Sequence, residues 1–452
     1  MLRHGQVSIR AFCTDISMYA VFFPATSMGT LHPLWVHTGT GVSSRFAEHC
    51  LETRSMLLET TIDAPALLPK GNSAHRQLKE RIVDLLRRAP VNQHRSATVS
   101  PDDVYPFQTG MSAIYWVHKY PLSKHKSLSV LFGFAFHSTI HALQDFGGPG
   151  SEFFGLGTPE DLRNLENYLT PQAKQGIKVQ AIWAEFPSNP LLVTPDLLAL
   201  RKLANKYGAL LIVDDTIASF SNVDVLGVAD LVVTSLTKSF SGYADVMAAS
   251  AALKPSSARY DELAELFNAL YRNDFFVGDA EALEENSRDY LQRSAILNNN
   301  AEQLIRYLQG ETGDPTSPVK QVYYPSISES VANYRAFMRP ETADLTPGYG
   351  CLFSVELDSI EAAIAFYDNL NVHQGPHLGA HLTLAIGYCM GVYGNELEWA
   401  AKYGLGPTQI RVSVGLEATA SLLQVFTEVV KAAKTCALVG ASVADGLLVD
   451  GA

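Results

Sequence analysis

The chain has 452 residues, 47% of them hydrophobic and 18% charged, with a formal net charge of -12. That length allows one large domain and a smaller one, each with its own core, and the acidic balance excludes non-specific binding to nucleic acid or anionic membranes. Five cysteines (Cys13, Cys50, Cys351, Cys389, Cys436) are scattered with no CxxC pair, which excludes a disulfide framework or zinc ribbon and reads as reduced, intracellular thiols.

In chain order, Met1 to Thr14 carries Arg3, His4 and Arg10 but no continuous apolar run, so it does not read as a signal peptide. Met18 to Thr26 is apolar but too short to span a bilayer, and it contains Pro24. A soluble, cytoplasmic protein is expected. Residues 1–75 show no sustained period and read as an N-terminal arm. Ala74 to Arg88 predicts a helix through Leu78, Ile82, Leu85 and Leu86. From about residue 100 the pattern becomes α/β: a helix from Gly110 to Lys119, a strand from Ser127 to Phe136, and a strand from Val179 to Phe186. Thr194-Pro195-Asp196 predicts a helix start with Thr194 as the cap. Leu197, Leu200, Ala204 and Tyr207 should form that helix's buried face, and Gly208 should end it. Strands follow at Leu210 to Val213 and Ala229 to Thr234. Continuous apolar strands alternating with amphipathic helices predict a parallel sheet covered on both faces. Residues 281–309 predict a long linking helix. Past Pro315 the texture becomes α+β, with strands Val319 to Tyr324 and Leu352 to Leu357 and a helix from Ile360 to Leu370. The divisions expected are an arm over 1–75, a large domain over 76–310, a small C-terminal domain over 311–436 and a flexible tail over 437–452.

The chemistry gathers after the strands. Ser235-Leu236-Thr237-Lys238 closes one apolar run, and Asp214 closes another. A lysine can carry pyridoxal phosphate (PLP) as a Schiff base, a carboxylate can partner its pyridinium nitrogen, and flanking hydroxyls suit its phosphate. Gln108-Thr109-Gly110-Met111-Ser112 precedes a helix, where backbone amides bind anions. Asn189, in Pro187-Ser188-Asn189-Pro190, can donate to a cofactor or cap a turn. Arg411, amid apolar neighbours, needs a partner: a substrate carboxylate or a structural acid. Neither His137/His141 nor His373/His377/His381 has the glutamate of HExxH, and glycine and proline break the second group, so no metal site is expected.

Together these segments resemble the PLP-dependent enzymes of cysteine and methionine metabolism, closest to the fungal cystathionine γ-synthase-like branch. Further matching stretches are Ile16 to Pro24, Val213-Asp214-Asp215-Thr216, Glu185 to Pro190, Glu396 to Ala401 and Ile410 to Glu417. The resemblance implies fold type I: a mostly parallel seven-stranded sheet in a large domain plus a smaller α+β domain. It implies a homotetramer built from dimers that share active sites. Lys238 would carry the cofactor and Asp214 would pair with its pyridinium. Asn189 and Thr216 would contact it, and Phe136 would stack on its ring. Gly110, Met111, Ser235 and Thr237 would hold the phosphate, joined by Arg45 from the neighbouring subunit. Arg411 would grip the substrate carboxylate, beside His377 and His381. The reaction implied is γ-replacement on an O-acyl-L-homoserine through a vinylglycine-type intermediate, with β- or γ-elimination on cystathionine or a related sulfur amino acid as the alternative. A catalytically silent member would be expected to lack Lys238 or Asp214, and both are present.

Three departures lie near the substrate. Relatives usually stack a tyrosine where Phe136 stands, and a phenylalanine cannot move a proton. Many bacterial members carry a tyrosine where Ser43 stands. Fungal members read Gly-Pro-Ser-Leu-Gly-Thr-Asn where this chain has Gly375-Pro376-His377-Leu378-Gly379-Ala380-His381. An altered substrate or nucleophile is the expectation these raise, with neutral drift as the alternative.

Overall fold

In the computed structural model, residues 7–92, 99–146 and 148–447 are described, with side chains as far as residue 435. Arg3 and His4, and the last five residues of the expected tail, lie outside them.

The central sheet takes its strands from apolar runs too short for helices. They are β4 (Val104–Phe107), β5 (Ser129–Phe132), β6 (Ser151–Phe154), β7 (Ala181–Glu185), β8 (Leu210–Asp214), β9 (Leu231–Ser235) and β10 (Ala249–Leu253). Their spatial order is β4-β10-β9-β8-β7-β5-β6. The pairs from β9 through β6 are parallel, and β10 runs antiparallel to both its neighbours. Side chains alternate between two cores, as strand geometry requires. Leu211, Val213 and Val232 face one core, with Leu78, Leu197 and Leu200. Leu210, Ile212 and Val233 face the other, with Ala113, Val117 and Ile140. Each such buried valine, leucine or isoleucine contributes roughly 1.5–3 kcal/mol.

The smaller sheet is β11-β12-β15-β14-β13, made of β11 (Val319–Tyr323), β12 (Leu352–Leu357), β13 (His373–Gln374), β14 (Leu384–Ile386) and β15 (Gln409–Ser413). Helices Ile360–Asn369 and Thr419–Leu447 cover it, and Phe353, Phe366 and Phe426 anchor that core. On the arm, β1 (Ser8–Cys13), β2 (Ser17–Phe22) and β3 (Leu58–Thr60) form a third sheet. Helices α1 (Met28–Thr38), α2 (Ser44–Glu52) and α3 (Ser73–Arg87) follow or interrupt it.

Several local expectations are corrected. The helix expected to start at Thr194 spans Leu197–Tyr207, and its cap is Asp196, which accepts the Ala199 N–H at 2.9 Å. Thr194 is drawn away instead: its backbone bonds to Ser330 and Asn333. Gly208 does end the helix, with φ of 70°. Ser127 to Phe136 is not all strand, because the backbone leaves β5 and Phe136 opens helix α5 (His137–Gln144). The long linker is two helices, Val277–Asn286 and Tyr290–Thr312, broken at Ser287 to Asp289. The last helix continues to Leu447, past the point where a flexible tail was expected.

Candidate active site

Parallel strands deliver their last residues to one edge, where open α/β sheets bind ligands. Here β7 ends at Glu185, β8 at Asp214 and β9 at Ser235. Glu185 and Asp214 lie side by side in register. Helix α4 (Gly110–Lys124) points its first turn at the same edge, capped by Thr109, which accepts the Ser112 N–H at 2.9 Å. These elements enclose a cavity of about 360 Å³ with Lys238 in its wall. The small sheet closes it: Arg411 comes from β15, and His377 from the segment before β14.

Gly110, Met111, Phe136, Asn189, Asp214, Thr216, Ser235, Thr237, His377 and Arg411 all line this cavity with Lys238. His381, expected beside Arg411, does not, whereas Arg45 is expected in the neighbouring subunit's site rather than in this one. The His381 backbone N–H donates to Gly242 O at 2.8 Å, and its ring packs near Tyr243, 5.6 Å away. Those contacts turn it away from the cavity. Arg45 is held by its own chain, donating to Asp245 Oδ2 at 3.0 Å and Asp279 Oδ1 at 3.4 Å. Ser43, where many bacterial relatives carry tyrosine, caps α2 by accepting the Phe46 N–H at 3.1 Å.

The electrostatics follow from burial. Lys238 is lowered to about 8, first because burial strips its hydration and then because Arg411 repels it; Asp214 partly offsets both. Burial raises Asp214, while the Thr216 N–H at 2.9 Å and the Lys238 charge favour its anion. Glu185 is raised well above the usual carboxylate range by burial and by Asp214, although it accepts the Phe136 N–H at 2.6 Å. Asp214, facing the lysine, is therefore the more readily ionised member of the pair. His377 is lowered to about 4 by burial, Lys238 and Arg411, and its buried Nε2 has no partner among the described residues. It is a neutral imidazole at physiological pH.

Arg411 is 3% exposed. It donates to Asn189 Oδ1 at 3.1 Å and to the Pro376 carbonyl, and its guanidinium lies 4.4 Å over the Tyr388 ring. No described carboxylate pairs with it. Aromatic support without an acid leaves a fixed positive fork for an incoming carboxylate. Sequence reasoning put Glu185 at a strand end where chemistry is expected but gave it no role, and it did not place Tyr388 in the site. Glu185 had a signal in its strand-end position; Tyr388 had none, because it reaches Asn189 and Arg411 only through the fold.

The residues fit PLP. A Cβ at Gly110 would stand 3.1 Å from Ser235 Oγ, so only glycine keeps that cradle open beside the free amides of a first helical turn. Gly110→Val should weaken cofactor binding about tenfold to a hundredfold, the ~1–3 kcal/mol of an overpacked site. Titration of cofactor-free protein with PLP measures it. The lysine gives a second expectation. Only a neutral amine attacks an aldehyde, so recombination with PLP should quicken as pH rises and level off above about 8. Arg411→Met should move that midpoint up and Asp214→Asn down, since the first charge lowers the lysine and the second raises it. Absorbance-monitored recombination with a rate independent of pH would contradict this.

Residues 107–430 match the family described as Cys/Met metabolism PLP-dependent enzymes. A cystathionine gamma-synthase-like enzyme of Amanita muscaria is 37% identical over 92% of this chain and 77% of that protein. An alanine racemase of Aspergillus violaceofuscus is 36% identical over 90% of this chain and 72% of its own length. The cystathionine gamma-synthase of Neurospora crassa is 36% identical over 88% of this chain and 65% of its own. Among solved structures, cystathionine gamma synthase from Xanthomonas oryzae pv. oryzae, in complex with aminoacrylate and cysteine, superposes with a TM-score of 0.65 at 24% identity. It covers 83% of this chain and 92% of that one, and it shares the fold.

Proposed function

Because this chain belongs to the PLP-dependent enzymes of Cys/Met metabolism and is cystathionine γ-synthase-like within them, we propose that it catalyses γ-replacement on an O-acyl-L-homoserine. The observation that carries this reading is Arg411, buried without an acid partner across the cavity from Lys238. An amino-acid substrate supplies the missing carboxylate. The names of the Amanita and Neurospora relatives support the reaction class.

PLP, when bound, acts as an electron sink for the substrate's α-carbon. The chain's own residues do the rest. Arg411 would hold the α-carboxylate in the cavity that Lys238 also lines. Lys238 Nζ, neutral above pH of about 8 and partly neutral below it, removes the proton from Cα and then serves the β-position. Asp214 keeps negative charge at the strand edge. Phe136 offers an apolar face and no proton. His377, a neutral imidazole lining the cavity, orients the incoming nucleophile by a hydrogen bond at its Nε2, unpartnered among the described residues. That nucleophile, cysteine or a thiol, amine or carbon nucleophile of specialised metabolism selected by Phe136 and His377, bonds to Cγ in place of the Cγ–O bond that breaks. The acyl group leaves as a carboxylate, whose charge the nucleophile's proton balances.

Elimination and racemisation compete with this reading, because both begin with the same proton transfer to Lys238. Chiral chromatography with mass spectrometry of products from O-acetyl-L-homoserine, with a panel of thiol, amine and carbon nucleophiles, separates the three. A γ-linked adduct is expected. Release of 2-oxobutyrate and ammonia whatever nucleophile is supplied would overturn replacement in favour of elimination. Loss of chirality alone would point to racemisation.

The proposal includes a second copy of the chain. An apolar groove of about 730 Å³ on the arm is lined by Met18, Val21, Leu34 and Trp35, and Ile9, Leu51 and Leu58 are also exposed on the arm. A partner subunit covers that surface, in a dimer of dimers, and its cofactor phosphate receives Arg45 once the contacts to Asp245 and Asp279 are released. No described helix is long and apolar enough to cross a membrane, which accords with the cytoplasmic location proposed here.

A further inference from the structure

His137 and His141 lie one helical turn apart on α5 and so share a face. Their Nε2 atoms are 3.2 Å apart. Glu396, from the segment between helices Tyr388–Tyr393 and Leu397–Ala401, places Oε2 3.4 Å from His137 Nε2. One ligand atom from each of the three lies within 4.8 Å of the other two. Ligands about 2.0–2.1 Å from a tetrahedral zinc sit roughly 3.3 Å from one another. Two of the three edges already have that length, and Glu396 is exposed enough to rotate and shorten the third.

Two observations outside the triad support a cation. His141 Nδ1 is 2.6 Å from Asp145 Oδ2, the carboxylate–imidazole pairing found behind metal-bound histidines, which aims Nε2 at the ion. The His37 ring from α1 stacks on His141 with centroids 4.7 Å apart, and its buried Nδ1 has no partner among the described residues. Tyr393 walls the other side, edge-on to His137 at 5.1 Å. Three imidazoles gathered beside two carboxylates is an arrangement that a divalent cation satisfies.

We infer that His137, His141 and Glu396 bind a divalent transition-metal ion of the zinc class, with Asp145 orienting His141 and solvent completing the tetrahedron. The ion ties α5, whose first residue follows cavity-lining Phe136, to the segment that follows the helix carrying Tyr388 under Arg411. It is a structural clip at the cavity wall. The inference does not depend on the reaction proposed above.

The test is calorimetric titration of chelator-treated, desalted holoenzyme with ZnCl2. One ion per chain is expected. His141→Asn and Glu396→Gln should each weaken binding at least tenfold, and Asp145→Asn about tenfold, as removal of an orienting carboxylate does. The PLP absorbance of every variant reports folding. Glu396→Gln is an exposed, isosteric change, so it keeps the test decisive if His141→Asn misfolds. Absence of binding, or equal binding by wild type and Glu396→Gln, would overturn the site and leave a hydrogen-bonded histidine relay in its place.

Discussion

Lys238→Ala should abolish the visible Schiff-base absorbance of the protein as purified and lower turnover by on the order of 10⁴. The reason is positional. Lys238 lies just beyond β9, opposite Asp214 and Arg411, and lines the same cavity as Gly110, Met111, Asn189, Ser235 and Thr237, which are expected to hold the cofactor with it. No other lysine lines that cavity. The variant should nevertheless fold better without cofactor. A buried lysine lowered to about 8 binds protons less readily folded than unfolded. Its charged form therefore destabilises the fold most fully below pH 8, and the cost fades as pH rises toward the unfolded value of about 10.4. Cofactor-free Lys238→Ala should accordingly melt above the cofactor-free parent at pH 7, with the gain shrinking toward pH of about 10. Absorbance, product formation and thermal melts at two pH values check these together. Retention of the absorbance band in Lys238→Ala would refute the assignment.

Arg411→Ala should lower kcat/KM by about 10²–10³, chiefly through KM, because truncating one partner of a buried charge pair costs about 2–5 kcal/mol. Arg411→Lys should recover only part of this. An ammonium keeps the charge but loses the planar fork and its stacking on Tyr388. A purely structural role predicts something different. Removing Arg411 also strips a donor from Asn189 and Pro376, and damage of that kind would slow every substrate alike. The discriminating measurement is binding of an amine analogue that lacks the carboxylate. Its affinity should change little in Arg411→Ala, whereas that of the carboxylate-bearing amino acid should collapse. An equal loss for both would reassign the guanidinium to scaffolding.

Much of this molecule is legible in the chain. Apolar runs of four or five residues, most of them alternating with helices, dictate a sheet buried on both faces, and the residues that close its parallel strands must surface at one edge. That is why Asp214, Ser235 and Lys238 could be read as a cofactor site, and why the family resemblance fell on the same stretches. Local capping was less legible, since Thr194 and Asp196 both offer oxygen and only the tertiary partners Ser330 and Asn333 decide between them. The resemblance likewise grouped His377 and His381, four residues apart, yet only His377 reaches the cavity.

What the sequence determined, then, is the set of groups carried at strand ends and helix starts, because short-range periodicity governs those positions. What the tertiary structure decided is which distant groups meet: Tyr388 beneath Arg411, Glu185 beside Asp214, Glu396 against His137. Those encounters depend on how the small sheet and its preceding segments pack over the large one, and burial there, rather than residue type, sets Lys238 near 8 and His377 near 4.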